Sequence, residues 1–143
     1  MTDIMKSPRA RAAVLLALDE DLGSSSNVRF TRRCDATSEA LVDPKAKAVG
    51  EIYSRVPCTV AGATVAAAVL KAVDKSIKVT IVRPDGTQVK PNETILQFSG
   101  KARSILAAER TALNFMQRMS ATATLTRKFV DATKKWEIGR AHV

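Results

Sequence analysis

The chain reads as an α+β domain, and three observations predict it. Its apolar residues recur with a helical period near both ends, alternate with a period of two in the middle, and are separated by clusters of turn-forming residues. The order that results is helix, strand, strand, helix, several β segments and then helices, which is that of a sheet covered on one side.

The elements follow in turn. Ser7 is placed to cap a helix and Pro8 suits its first position. Val14, Leu15 and Leu18 form its apolar stripe, and Gly23 stops it. Residues 24–33, "SSSNVRFTRR", are polar and aperiodic and read as a loop. In "KAKAVGEIYSR", Ala46, Ala48 and Ile52 alternate with Lys45, Lys47 and Glu51, as in a half-buried strand. A short strand beginning at Cys58 runs into an alanine-rich helix from Ala63 to Val73. Strands are expected around residues 77–83, 87–89 and 94–99, with Asp85-Gly86 supplying the positive φ angles of a tight hairpin. From Lys101 the pattern is helical, with a break expected near Ser120 and a second helix from about Ala123 to Lys135.

Composition narrows the function. The 143 residues, 45% apolar, suffice for one ordinary core but not comfortably for two. No apolar run approaches the ~20 residues that span a bilayer, and "MTDIMKSPRA" lacks the apolar core of a signal peptide, so a soluble cytoplasmic protein is expected, with no membrane partner. Cys34 and Cys58 have no CxxC spacing and only His142 to accompany them, which supports neither a zinc site nor a disulfide; two reduced thiols are expected. Twenty-three Lys and Arg against fourteen Asp and Glu give a net charge of +9, which calls for an anionic partner. Scattered basic residues and 4% aromatics point away from nucleic acid and toward a phosphorylated or carboxylated small molecule.

"AAERTALNFMQRMS", residues 107–120, sets an acid beside a base in an amphipathic helix. At 3.6 residues per turn Glu109 falls among Ile105, Ala112, Leu113 and Met116, inside the apolar arc, and Arg110 falls on its flank beside Asn114 and Gln117. A carboxylate inside the arc is costly unless it meets a base or a backbone donor.

Taken in order, "ALDEDLG" (17–23), "DATSEALV" (35–42), "VAGA" (60–63), "DGTQVKPNETIL" (85–96) and "GKARSILAAERTALNFMQRMSATATLTRKFVDA" (100–132) resemble the first half of quinolinate phosphoribosyltransferase, also called carboxylating nicotinate-nucleotide pyrophosphorylase. The resemblance implies an N-terminal α/β sandwich over residues 1–118 that caps the barrel of a partner subunit. Residues 119–136 would then begin a truncated C-terminal α/β barrel. It further implies conversion of quinolinate and phosphoribosyl pyrophosphate to nicotinate mononucleotide, CO2 and pyrophosphate in NAD biosynthesis, by a homodimer or higher homo-oligomer. Mg²⁺ would accompany the phosphoribosyl pyrophosphate in the missing barrel, so this part holds neither catalytic residues nor metal ligands. The family's substrate-contacting Arg corresponds to Arg110, which would bind a quinolinate carboxylate in the partner's site, with Glu109 supporting it; a guanidinium forks onto a carboxylate through two parallel bonds. Arg118 and Arg127 are further basic candidates, and Asn114 and Gln117 read as interface or helix-surface residues.

The chain departs from the family pattern in places. Cys34 stands where the family has the glycine before Asp35, and residues 24–33 are either an insertion or a frame or assembly error. Ala121 replaces a glycine in "SATA". "EIGRAHV", residues 137–143, is what a common sequencing-adapter DNA encodes in this frame. These residues are therefore expected to be non-native, Arg140 and His142 to carry no function, and the chain to be a gene fragment whose native sequence ends near Trp136. Other classes stay in view: paralogues acting on nicotinate or associated with molybdate transport, a non-catalytic anion or nucleic-acid binder, and a biotinyl- or lipoyl-type carrier. The carrier would need a modifiable Lys at the hairpin tip, where Asp85-Gly86 stands.

Overall fold

A computed structural model describes residues 6–23 and 35–134. The expected loop at 24–33, Cys34, residue 135 at the expected helix end, Trp136 and the tail 137–143 lie outside the described residues.

Helix α1 runs from Pro8 to Leu22. The Ser7 hydroxyl accepts a hydrogen bond from the Ala10 N–H at 3.5 Å, and Gly23 closes the helix at φ +82°. A short helix that the periodicity does not reveal, α2 (Ala36–Leu41), begins at Asp35, whose carboxylate accepts from the Thr37 N–H at 3.2 Å. At six residues it is too short to show an apolar stripe. Strand β1 spans Lys47–Tyr53 with every second residue half-buried, as expected from the alternation. Strand β2 is Cys58–Thr59, and α3 covers Ala63–Val73, the expected bounds. Strands β3 (Lys78–Ile81), β4 (Gln88–Val89) and β5 (Thr94–Lys101) follow, and α4 runs from Ala102 to Thr133.

The strands pair differently from the expected hairpin. β5 lies centrally in an antiparallel sheet of order β1-β5-β3, and β4 pairs with β2 in a separate two-stranded ladder, Cys58 opposite Val89 and Thr59 opposite Gln88. No β3–β4 ladder forms. Of Asp85 and Gly86 only the glycine takes a positive φ, +90°, and the Thr87 N–H bonds the Pro84 carbonyl at 3.2 Å, the single-glycine pattern of a type II turn. The Asp85 carboxylate turns outward from that bend and caps α3, accepting from the Ala63 N–H and the Thr64 hydroxyl, each at 2.8 Å. That cap substitutes for one on α3's own Gly62, whose φ of +91° leaves no side chain to serve.

The expected break near Ser120 is absent, and α4 is one helix of 32 residues. The serine and threonines of this stretch spend their hydroxyls on other groups. Ser120 Oγ accepts from the Ala61 N–H and donates to the Ala61 carbonyl, both at 3.0 Å. Thr124 Oγ1 accepts from the Thr59 N–H at 2.9 Å while donating to the Ser120 carbonyl. A stretch of extended chain is thereby stitched to the helix surface. Ala121 is exposed in regular helix, where it is favoured over glycine by about 1 kcal/mol.

The helices cover one face of the sheet. Leu18 of α1, Leu70 of α3, Ile77 just before β3 and Leu96 of β5 are almost wholly buried, joined by Val14, Val69, Ala108, Ala112 and Met116. Each such Leu or Ile contributes about 1.5–3 kcal/mol. α3 is α4's principal packing partner, and alanines on both let their backbones approach. At Gly62 a Cβ would stand 3.0 Å from Met119 Sδ and 3.4 Å from Met116 Cα, so a side chain here would press on Met119 as well as strain a backbone at φ +91°. No closed barrel is present among the described residues.

Candidate functional site

Three helices converge where α1 ends, α2 begins and the middle of α4 passes beneath them. The apolar faces set the approach, since Val14 and Leu18 anchor α1 to the core that α4 shares. Arg103 anchors α2, with Nε donating to the Val42 carbonyl at 2.7 Å and Nη1 to Glu39 at 3.0 Å.

Arg110 projects from α4 into this junction. Its side chain is 79% exposed, and its Nη1 lies 3.4 Å from Oδ1 of Asp21 in the last turn of α1. Thr111, the next residue, is buried and donates its hydroxyl to Oδ2 of the same carboxylate at 3.1 Å. Asp35 lies in the field of the same guanidinium. Its carboxyl is held below the usual carboxylate range chiefly by the Ser38 hydroxyl, then by the backbone N–H groups of Thr37 and Ser38, with the Arg110 charge adding to them. The helical period therefore placed Arg110 correctly, on a flank rather than in the core.

Glu109 is placed differently from the expectation. It is exposed, with no base or backbone donor bonded to its carboxylate among the described residues. The buried arc of α4 runs through Ile105, Ala108, Ala112 and Met116. On the Glu109 side the sheet ends at its edge strand β1, so that flank overlooks a cleft of about 310 Å³ instead of entering the core; Ala48, Ile52, Phe98 and Leu113 are among its lining residues. The angular position was right; the extent of the cover was not legible from one helix alone.

The remaining candidates make no side-chain hydrogen bond or ion pair with Arg110, although Asn114 follows it by one helical turn. Arg118 and Asn114 are exposed on α4, and Arg127 pairs with Asp131 at 3.0 Å along the same helix. Gln117 lines a broad groove with Tyr53, Val56, Cys58, Leu125 and Lys128. Cys58 is a half-buried free thiol whose Sγ lies 3.3 Å from Ser54 Oγ. Among the described residues no three His, Cys, Asp or Glu side chains cluster so as to hold a metal ion, and no helix is long and apolar enough to cross a membrane. Asp21 is the neighbour of Arg110 that sequence reading missed. The signal available was an acidic triplet at a helix C-terminus, the wrong end for carboxylates.

Comparison with known proteins bears on the family. Residues 35–120 match the family described as "Quinolinate phosphoribosyl transferase, N-terminal domain". The chain is 37% identical over 122 residues to a chloroplastic carboxylating nicotinate-nucleotide pyrophosphorylase of Oryza sativa, covering 85% of this chain and 31% of that one. It is 36% identical over 122 residues to quinolinate phosphoribosyltransferase (decarboxylating) 1 of Nicotiana glauca, covering 85% and 33%. The nicotinate-nucleotide pyrophosphorylase structure from Francisella tularensis superposes with a TM-score of 0.75 at 32% identity, covering 92% of this chain and 44% of that one. The chain thus spans about a third of the length of these curated relatives.

Proposed function

Because the chain belongs to the quinolinate phosphoribosyltransferase family, as the match over residues 35–120 establishes, we propose that it is the N-terminal, substrate-orienting part of an enzyme that converts quinolinate and phosphoribosyl pyrophosphate to nicotinate mononucleotide, CO2 and pyrophosphate. The observation that carries this reading is Arg110: a guanidinium 79% exposed on a rigid, core-packed helix, restrained at one end by Asp21. A dicarboxylate is the ligand such a group suits, because its planar donors match a carboxylate in two parallel bonds.

In a phosphoribosyl transfer, positive charge builds on the ribose as pyrophosphate leaves, and the pyridine nitrogen must be held near the anomeric carbon. Arg110 orients the dicarboxylate and α4 helps exclude water from the partner subunit's site. Residues 1–118 form the capping domain and 119–136 lead into the barrel, without a break in α4 at the boundary. Magnesium accompanies the phosphoribosyl pyrophosphate in the barrel; the described residues here offer it no ligand cluster, and no step above depends on it. The assembly is a cytoplasmic homodimer or higher homo-oligomer, and the segment alone turns nothing over.

The test is Arg110→Ala in the full-length enzyme. The KM for quinolinate should rise by about tenfold or more, the loss expected for a charged hydrogen-bonding partner, with a smaller change for phosphoribosyl pyrophosphate. Equal effects on both substrates, or none, would remove Arg110 from the assigned role.

A further inference from the structure

Helix α1 ends in Asp19, Glu20 and Asp21 with no basic residue in its last turn. A helix C-terminus carries partial negative charge, so acids there weaken the helix that bears them. Asp21 has a specific destination. Its side chain is 18% exposed, and its two oxygens are divided between consecutive residues of α4, Oδ2 accepting from the Thr111 hydroxyl at 3.1 Å and Oδ1 facing Arg110 Nη1 at 3.4 Å. Thr111 is only 3% exposed, and Val14 and Leu18 seat α1 in the core, so the carboxylate is fixed from behind by a buried hydroxyl and in front meets a solvated guanidinium.

The geometry points to Asp21 as the positioning residue for Arg110, holding one Nη so that the Nε–Nη2 edge is presented to a carboxylate of the substrate. This rests on the assignment of Arg110 to quinolinate. Nε and Nη2 make no hydrogen bond among the described residues, which leaves that edge available for a forked contact. Stability does not account for the pair, because an ion pair with so exposed a partner contributes little. Advance ordering does: a long side chain already restrained loses less conformational freedom when its ligand arrives.

Charge alone predicts the opposite sign. Asp21 is negative and quinolinate is a dianion, so removing the carboxylate would tighten binding if Asp21 acted only through its field. Positioning predicts weaker binding.

The experiment is Asp21→Asn, Asp21→Glu and Thr111→Val in the full-length enzyme, each also combined with Arg110→Ala, with Tm measured alongside. Asp21→Asn should raise the quinolinate KM roughly two- to tenfold, the ordering cost of one long side chain, with kcat and the phosphoribosyl pyrophosphate KM little changed. Asp21→Glu should restore part of the loss and Thr111→Val should give a smaller rise. In the Arg110→Ala background none should add to the defect. A lowered or unchanged quinolinate KM in Asp21→Asn, or the same rise with Arg110 already removed, would overturn the positioning role while leaving Arg110's own assignment standing. If Arg110→Ala itself leaves quinolinate unaffected, the functional reading fails and the positioning role fails with it. Should Asp21→Asn not fold, Thr111→Val decides between the same outcomes.

Discussion

Between Ala102 and Met116, α4 buries seven residues, among them Ile105, Ala108 and Ala112; between Gln117 and Thr133 it buries none. The second half even exposes Leu125, Phe129 and Val130, with Phe129 at 65%. One continuous helix, roughly 48 Å long at 1.5 Å per residue, is therefore held in two different ways. The first half is helical because it packs. The second half depends on its own local bonds: threonine hydroxyls at 122, 126 and 133 donate to carbonyls four residues back, and Asp131 pairs with Arg127 at 3.0 Å and Lys134 at 2.7 Å. Such hydroxyl bonds and exposed pairs stabilise a helix little. Its tertiary fastening is the stitch from Ser120 and Thr124 to residues 59–61. An apolar face left open beyond that stitch agrees with the proposal that this half leads into a further domain.

The sharpest way to break the contrast is truncation on each side of it. Ile105→Ala should destabilise the segment by about 2–5 kcal/mol, the cost of a core cavity, whereas Phe129→Ala should change it by no more than about 0.5 kcal/mol. Equal losses in chemical denaturation would mean that the second half is covered after all. Ser120→Ala comes next. It leaves the Ala61 N–H and carbonyl without their partner and should cost about 1–3 kcal/mol, with hydrogen exchange speeding at residues 59–61 and beyond 120 but not at Ala108 or Ala112. The smallest effect is acid sensitivity. Asp74, at the C-terminus of α3, accepts from Ser76 and Ser104, and its carboxyl is held below the usual range chiefly by the Ser76 hydroxyl and N–H, then by Ser104 and Lys101. A pKa lower in the folded state means that the contribution is present above the unfolded value, near pH 4, and is lost as pH falls through the folded value. Asp74→Asn should flatten that slope. Asp131→Asn should flatten it less, because Asp131, although lowered by Lys134 and then Arg127, is exposed on the half of α4 that does not pack, where solvent screens its pairs.

How much of this was legible in advance depends on the range of the forces concerned. Ser7, Pro8 and Gly23 mark α1 because capping is settled within four residues, and the alanines of α3 gave its bounds for the same reason. Strand pairing is decided between distant segments. Asp85-Gly86 resembles a hairpin tip locally, yet β3 and β4 each find another partner and Asp85 caps a helix 22 positions away. The misjudged break at Ser120 has the same origin, since nothing nearby reveals that its hydroxyl is taken by Ala61. In the candidate site, the position of Arg110 followed from helical period. The exposure of Glu109 depends on where the sheet stops, and the role of Asp21 depends on a contact across ninety residues of chain.

The strand order also governs when this domain can fold. β1 and β3 touch each other nowhere in the sheet; both pair only with β5, whose register joins Lys47 to Lys101. On a ribosome the central strand is the last of the three to emerge, so β1 waits with its hydrogen-bonding edge unpaired until the chain from Tyr53 to Lys101 has been made. Closing contacts that far apart is slow relative to helix formation. Until Thr94–Lys101 leaves the exit tunnel, the nascent chain offers helices and two unpaired strands, the interval in which chaperones have most to hold.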